Sequence, residues 1–299
     1  MKRGVRIVVP IVAAILLVGL FAWLLKGKQI DVLAPAGEIA EQQRQILFFA
    51  LLLSTLVVVP VFTLLIVFSV KYRAGNKKSK YDPNWGENTF LEGLWWGIPI
   101  AIIGVMGVLT YQTTHSLDPY KKLDGGQQVS VQVVGLQWKW LFIYPEHKLA
   151  TLNYAPMPID QPVHFTLSTE APMSAFWIPA LGSQIYAMNG MESQLNLKGT
   201  KIGSYTGYNT NINGEGYATM KFQAKVMSKS DFTAWVAKAK KSKDVLTMKT
   251  YNKLAESEID TSERTYTLEN AELFDAIVQR NMSHGAGDHE NSSHAEHEL

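Results

Sequence analysis

Ile46–Val70 reads ILFFALLLSTLVVVPVFTLLIVFSV, without a single charged residue. Gly93–Thr114 (GLWWGIPIAIIGVMGVLTYQTT) and Ile7–Leu25 (IVVPIVAAILLVGLFAWLL) share that property. A helix needs about 20 apolar residues to cross a hydrocarbon core about 30 Å thick, and each run is of that length. Buried helices of a soluble core are the alternative, but three such runs separated by two short gaps argue against it. Around these runs the 299-residue chain is 47% hydrophobic and 18% charged, below the ~25% charge of soluble domains. The apolar excess lies before residue 115. A net charge of +2 excludes a nucleic-acid binder acting through a broad basic field. With no cysteine, the chain has no disulfide, thiolate metal site, iron–sulfur cluster or cysteine nucleophile.

Basic residues set the expected orientation. Lys2, Arg3 and Arg6 precede the first run, and Lys71, Arg73, Lys77, Lys78 and Lys80 lie between the second and third. Both places are expected to be cytoplasmic, with everything from Tyr120 onward outside. The first run, with Ala34-Pro35-Ala36 after it, reads either as a signal peptide or as a first membrane anchor over 1–36. Residues 37–119 are then assigned to two transmembrane helices, about 46–70 and 93–114, joined by a cytoplasmic loop over 71–92.

After Gln127 the rhythm changes to period two. Val129, Val131 and Val133 alternate with polar residues, as do Val163, Phe165 and Leu167, and Met220, Phe222, Ala224 and Val226. Half-buried strands carry this signature. Pro156, Pro158, Pro162, Pro172 and Pro179 are read as separators, so 120–228 is expected to be a β-sandwich or barrel. Phe232, Trp235, Val236 and Ala239 then return to helical spacing, as do Leu273, Ile277 and Val278, giving a helical region over 229–282. Residues 283–299 predict a disordered tail holding four of the seven histidines, His284, His289, His294 and His297. A solvated tail is preferred to a metal site there, because nothing fixes a geometry.

Several motifs carry a family resemblance. Glu92-Gly93-Leu94-Trp95-Trp96-Gly97-Ile98-Pro99, Gln137-Trp138-Lys139-Trp140 and Ile178-Pro179-Ala180-Leu181-Gly182 resemble, in order, segments of subunit II of haem–copper terminal oxidases. The resemblance covers about residues 30–226 and implies an α+β membrane protein. A transmembrane hairpin would be followed by a cupredoxin-like antiparallel β-sandwich and C-terminal helices.

In the cytochrome c oxidase branch the outer domain holds two coppers bridged by cysteines. Laid on that motif, the ligand positions here are Ser174, Asn209, Asn211, Asn213, Tyr217 and Met220, of which only Met220 is a ligand type. Soft thiolates are needed to bridge such a pair, so no metal is expected in this chain. The ubiquinol branch shares that loss. Phe176-Trp177-Ile178-Pro179, the run Gly182–Met188 and Tyr205-Thr206-Gly207 resemble its proteobacterial cytochrome bo-type form. That form often carries a lipobox cysteine, which this chain lacks.

The resemblance implies a non-catalytic subunit of a proton-pumping ubiquinol oxidase in the bacterial inner membrane, multi-pass, with its large domain in the periplasm. Two haems, one copper and the quinol site would belong to subunit I. Subunits III and IV and membrane lipid would be further partners. No nucleic acid is implied. Glu92, at the start of the third run, reads equally as a carboxylate favoured by the helix dipole and, by resemblance, as a proton-entry group. Trp138 and Trp140, flanking Lys139, are expected on one sheet face, packing against the partner subunit or the sandwich core. Asn209, Asn211 and Asn213, with Gly207, Gly214 and Gly216, suit a tight loop. Two other readings stay open: a membrane-anchored cupredoxin-fold assembly or metal-delivery protein using the histidine tail, and a structural membrane-anchored domain that binds a partner.

Overall fold

The computed structural model describes residues 19–20, 23, 30–73, 76, 86–171 and 173–283. Most of the first apolar run, Lys77, Lys78, Lys80, Pro172 and the histidine tail lie outside the described residues. The chain divides into two units, Met1–Ala34 and Pro35–Leu299. In the first, residues 19, 20 and 23 are helical and 31–33 form a turn.

The second unit opens with two long helices, α1 (Glu38–Lys71) and α2 (Thr89–Ser116), both long and apolar enough to cross a membrane. Glu38 and Glu41 occupy the first turn of α1 and Lys71 its last, each favourable to the helix dipole. Helix α2 starts at Asn88, whose side chain accepts the Leu91 N–H at 3.1 Å. Hydroxyls within the apolar stretches fold back on their own helix. Thr55 donates to the Leu51 carbonyl and Thr63 to the Val59 carbonyl, both at 2.7 Å, so neither demands a partner in lipid.

The N-terminal end of α1 is stitched into the rest of the unit. Ala36 N–H donates to the Ala180 carbonyl and Thr200 N–H to the Ala36 carbonyl, both at 2.7 Å. Gly37 pairs with Gly199, and a Cβ on Gly37 would stand 2.4 Å from the Leu181 carbonyl oxygen. Only glycine permits that approach. Beyond α2, the Asn196 backbone and side-chain N–H groups donate to the Pro119 carbonyl at 3.0 and 3.1 Å. Both helices therefore meet the following domain at one end, and the basic loop joins them at the other.

That domain is a sandwich of β1 (Val129–Leu136), β2 (Lys139–Tyr144), β3 (Leu149–Leu152), β4 (Tyr154–Pro158), β5 (Val163–Thr169), β6 (Ser174–Trp177), β7 (Gln184–Ala187), β8 (Ser193–Leu197), β9 (Gly203–Asn209), β10 (Lys221–Met227), β11 (Val245–Leu246) and β12 (Arg264–Leu268). One sheet runs β11-β12-β3-β2-β1-β5-β8 and the other β4-β10-β9-β6-β7. Between them lies an aromatic layer. Trp140 meets Phe176 at 5.3 Å in a T-shape, and Phe176 stacks on Phe222 at 4.9 Å. The second apolar cluster lies on the opposite face of the larger sheet. There Val134, Leu141 and Ile143 meet Tyr251 and Leu254 of α4 (Met248–Ala255), with Phe274, Ile277 and Val278 of the helix at 273–283. Strand β1 therefore loses its alternation after Val133, being covered on both faces.

The expected apolar helices, β-sandwich and C-terminal helices are present, with three corrections. The region over 229–282 is not wholly helical. After α3 (Lys229–Ala239), β11 and β12 extend the larger sheet, β12 pairing antiparallel with β3. Pro156 and Pro158 do not separate strands but lie in β4, at the edge of its sheet, where a missing N–H breaks no ladder. The segment Gln137–Trp140 is not one strand. Gln137 and Trp138 form the turn between β1 and β2, with Trp138 at φ 62°, and Leu136 pairs with Lys139.

Candidate functional site

Four of the six positions aligned with the two-copper motif meet inside the sandwich. Ser174 starts β6, Asn209 ends β9, and Asn213 and Met220 belong to the connection into β10. All four are buried. Asn213 Nδ2 donates to Ser174 Oγ at 3.0 Å and lies 3.7 Å from Met220 Sδ. Asn209 Oδ1 accepts the Ala175 N–H at 2.9 Å and the Asn211 N–H at 3.1 Å, while Asn211 Nδ2 donates to the Met173 carbonyl at 2.6 Å. Asn211 is thus turned away from the other four. Tyr217 is apart too, partly exposed in the short 3-10 turn Tyr217–Thr219.

The meeting atoms are neutral amides, a hydroxyl and one thioether. Such a set cannot supply the anionic soft donors that bridging coppers require. Among the described residues, moreover, no three His, Cys, Asp or Glu side chains come together. Met220 is a core residue, without exposed surface, in the cluster between the sheets.

The two tryptophans separate in role. Trp140 has no exposed surface and is a core residue, which corrects its placement as an interface candidate. Trp138 is partly exposed, and its ring covers the 214–216 loop. A Cβ on Gly216 would stand 2.4 Å from the ring, so glycine there lets the indole lie flat on the backbone. Trp138 itself has a left-handed backbone, φ 62°, uncommon for a bulky residue.

Lys139, which alternation places as an outward polar residue, is 2% exposed. Its Nζ donates to the Glu256 carbonyl at 3.2 Å, and burial lowers its pKa from the ordinary lysine value. Asn153 is a further residue that sequence patterning does not reveal. Its Oδ1 accepts the Trp140 N–H at 2.9 Å, and its Nδ2 donates to the Asp260 carbonyl at 2.7 Å, so one side chain ties the β2 start to the 256–263 segment. The one trace in the sequence is the residue type, since Asn favours the left-handed φ of 58° found there.

At the other end of the molecule Glu92 stands in the first turn of α2 and is exposed. Asn88 caps this helix, so Glu92 is a first-turn carboxylate but not its cap. Phe90, Trp95 and Trp96 beside it are also exposed, as aromatics at a membrane boundary are.

No family model matches the chain. Curated relatives do. The cytochrome bo(3) ubiquinol oxidase subunit 2 of Pseudomonas putida is 40% identical over 270 residues, 89% of this chain and 86% of its own. The ubiquinol oxidase subunit 2 of Acetobacter aceti is 41% identical over 78% of this chain and 77% of its own. The quinol oxidase subunit 2 of Bacillus subtilis (strain 168) is 37% identical over 75% and 71% respectively. Among solved structures, the periplasmic domain of subunit II of cytochrome oxidase from Bradyrhizobium japonicum has a TM-score of 0.38 at 22% identity, over 40% of this chain and 96% of that one.

Proposed function

The chain belongs to the subunit 2 family of ubiquinol oxidases, and on that premise we propose how it serves the complex. As subunit 2 it is part of an oxidoreductase and assembles with other oxidase subunits. We place the haems, the copper and the quinol site on subunit I, with subunits III and IV as neighbours. The complex oxidises ubiquinol, reduces oxygen to water and moves protons outward. Helices α1 and α2 hold the chain in the bacterial inner membrane. The basic residues Lys71 and Arg73 at the loop end favour the cytoplasmic side for that end, and hence the periplasm for the sandwich.

The observation that carries this division of labour is the donor set of the Ser174–Asn209–Asn213–Met220 cluster. With one thioether among amides and a hydroxyl, this cluster offers no donor set to hold a metal that would receive an electron from a soluble carrier. Electrons then enter from the membrane, as quinol oxidation requires. This chain supplies assembly, an outer cap and one carboxylate. Glu92 takes protons from cytoplasmic water and passes them across the subunit boundary. An acid at the membrane edge that is not tied up in capping suits that task.

Two measurements test the reading. A complex purified through a tag on this chain should carry haem, oxidise ubiquinol and turn over little with reduced cytochrome c; rapid cytochrome c oxidation would overturn the electron route. Glu92→Gln keeps size and a hydrogen-bonding oxygen but cannot titrate. Turnover should fall several-fold at full haem content, and Glu92→Asp should restore more activity than Gln. Wild-type turnover in Glu92→Gln would leave Glu92 as a helix-start carboxylate only.

A further inference from the structure

Two adjoining clefts run along α1 at the end where it meets the sandwich. The first, about 290 Å³, lies between Glu38, Glu41 and Gln42 of α1 and Thr200 and Lys201 of the loop before β9. The second, about 400 Å³, lies between the two long helices, with Gln42, Gln45, Ile46 and Phe49 of α1 on one wall. Leu109, Thr113 and Ser116 of α2 form the other wall. Gln42 borders both clefts, which makes them one groove. Its α1 residues recur at intervals of three and four, so they share one face of that helix. From Glu38 to Phe49 the rise is about 16 Å.

The groove changes character along its length. Glu38, Glu41 and Lys201 give way to the amides of Gln42 and Gln45, and these to Ile46 and Phe49. The α2 wall grades in the same sense, from Ser116 and Thr113 to Leu109. The charges in the first cleft are not answered alike. Glu38 pairs with Lys198, and Glu41 with Arg44 at 2.6 Å. Lys201 is exposed, and its Nζ donates to the Pro35 carbonyl at 2.9 Å. Among the described residues it has no ion pair. One cation is thus left without a counter-charge, at the polar mouth of an apolar slot.

We propose that this groove is a binding site for one phospholipid, its phosphate on Lys201 and Gln42 and an acyl chain between Phe49 and Leu109. The site rests on the reading of α1 and α2 as membrane helices. The uncharged run starts at Ile46, so Lys201 and Gln42 fall at the level of the headgroups and Phe49 within the hydrocarbon. A phosphodiester brings one negative charge to the cation that lacks one, as a charge-assisted hydrogen bond. Its chain covers the apolar slot below. A neutral quinol would fill the slot but leave the lysine charge facing an uncharged ring. The bound lipid would join three parts of the chain, α1, α2 and the loop before β9, at the junction of membrane and sandwich.

The test uses the whole complex in nanodiscs of phosphatidylethanolamine and phosphatidylglycerol. A density map should show one phospholipid in the groove, its phosphate within hydrogen-bond distance of Lys201 Nζ and a chain against Phe49. Native mass spectrometry of the complex released from the nanodiscs should count one retained phospholipid fewer in Lys201→Glu than in wild type. Leu109→Trp fills the slot without touching the charge and should lose the same lipid. An empty groove, a quinone or a side chain of another subunit in it, or an undiminished lipid count in either variant would overturn the proposal. Haem content and ubiquinol oxidation, measured on the same wild-type sample, report separately on the oxidase reading. A groove without phospholipid in a complex that carries haem and oxidises ubiquinol would sink the lipid site alone.

Discussion

Phe62 of α1 and Phe176 of β6 are the same side chain in opposite surroundings. Phe62 keeps 58% of its surface exposed and Phe176 none. The difference runs through the second unit. Helix α1 buries only Ile39 and Ala40, both at its stitched end, and α2 buries nothing, whereas the sandwich closes a continuous aromatic layer. The helices satisfy their backbone internally, so their side chains can remain open to lipid or to other helices without an unmade hydrogen bond. The sandwich has no such liberty in water and finishes its own core. One part of the chain is complete by itself, and the other is completed by its surroundings.

The strongest test of that contrast is Trp140→Ala. Removing the ring that packs edge-on against the stacked Phe176 and Phe222 should cost the sandwich about 3–5 kcal/mol, as large aromatic truncations in cores do. Urea unfolding of the detergent-solubilised chain, followed by strand circular dichroism, measures it. An unchanged midpoint would show that the layer does not hold the sheets together.

A smaller loss is expected on the opposite face of the larger sheet. Tyr251 donates to Glu170 Oε2 at 2.5 Å, and Arg280 donates to Glu170 Oε1 at 2.6 Å, so one carboxylate clasps α4 and the last helix. Burial and that hydrogen bond to Glu170 hold the phenol well above its ordinary pKa, so it stays a donor. Tyr251→Phe keeps the packing and removes the donor, at about 1.5–3 kcal/mol for a bond to a charged group. The same unfolding experiment, with limited proteolysis of the C-terminal helices, reads it. Resistance equal to wild type would place the clasp's strength in the apolar contacts alone.

On the membrane side the effect on the sandwich should nearly disappear. Phe62→Ala is expected to shift sandwich stability by no more than about 0.5 kcal/mol, the range of surface substitutions. Haem recovered with the tagged chain should fall instead, if this face packs against a partner helix. A destabilised sandwich with undiminished haem would reverse the contrast.

What sequence could reveal follows the same division. Long apolar runs are a local signal, and α1 and α2 carry it within themselves. Alternation at Val129, Val131 and Val133 reveals β1 because one of its faces stays half open there. It fails at β12, where Arg264–Leu268 offers only Tyr266 and Leu268 to the interior and pairs with β3, far away in sequence. Lys139 misleads for a related reason. Alternation turns it outward from the first core, but the second core and the 256–263 segment cover that face. The Ser174–Met220 cluster was legible as a set of positions only through the resemblance. Its hydrogen bonds, and the departure of Asn211 and Tyr217 from it, depend on loop geometry that no local pattern carries.

The smallest effect concerns pH. His147 lies in the short turn Pro145–His147, its ring 5.7 Å from that of Phe232 in α3. Burial lowers its pKa from the ordinary histidine value, with Lys240 pushing the same way and Glu146 opposing. The unfolded chain therefore takes up this proton first as pH falls below about 6.5. Between that pH and the lower folded value the unfolded state binds more protons, so stability drops as pH falls across the window. Above the window both states are neutral at this residue, and below it the loss is complete. His147→Phe keeps a ring against Phe232 and removes the titration. Carboxylates elsewhere in the chain tilt the acid limb of both proteins alike, so the difference in slope isolates His147. Unfolding midpoints measured through this range should fall more steeply in wild type than in the variant. Parallel slopes would show that His147 protonates as readily in the folded turn as in the open chain.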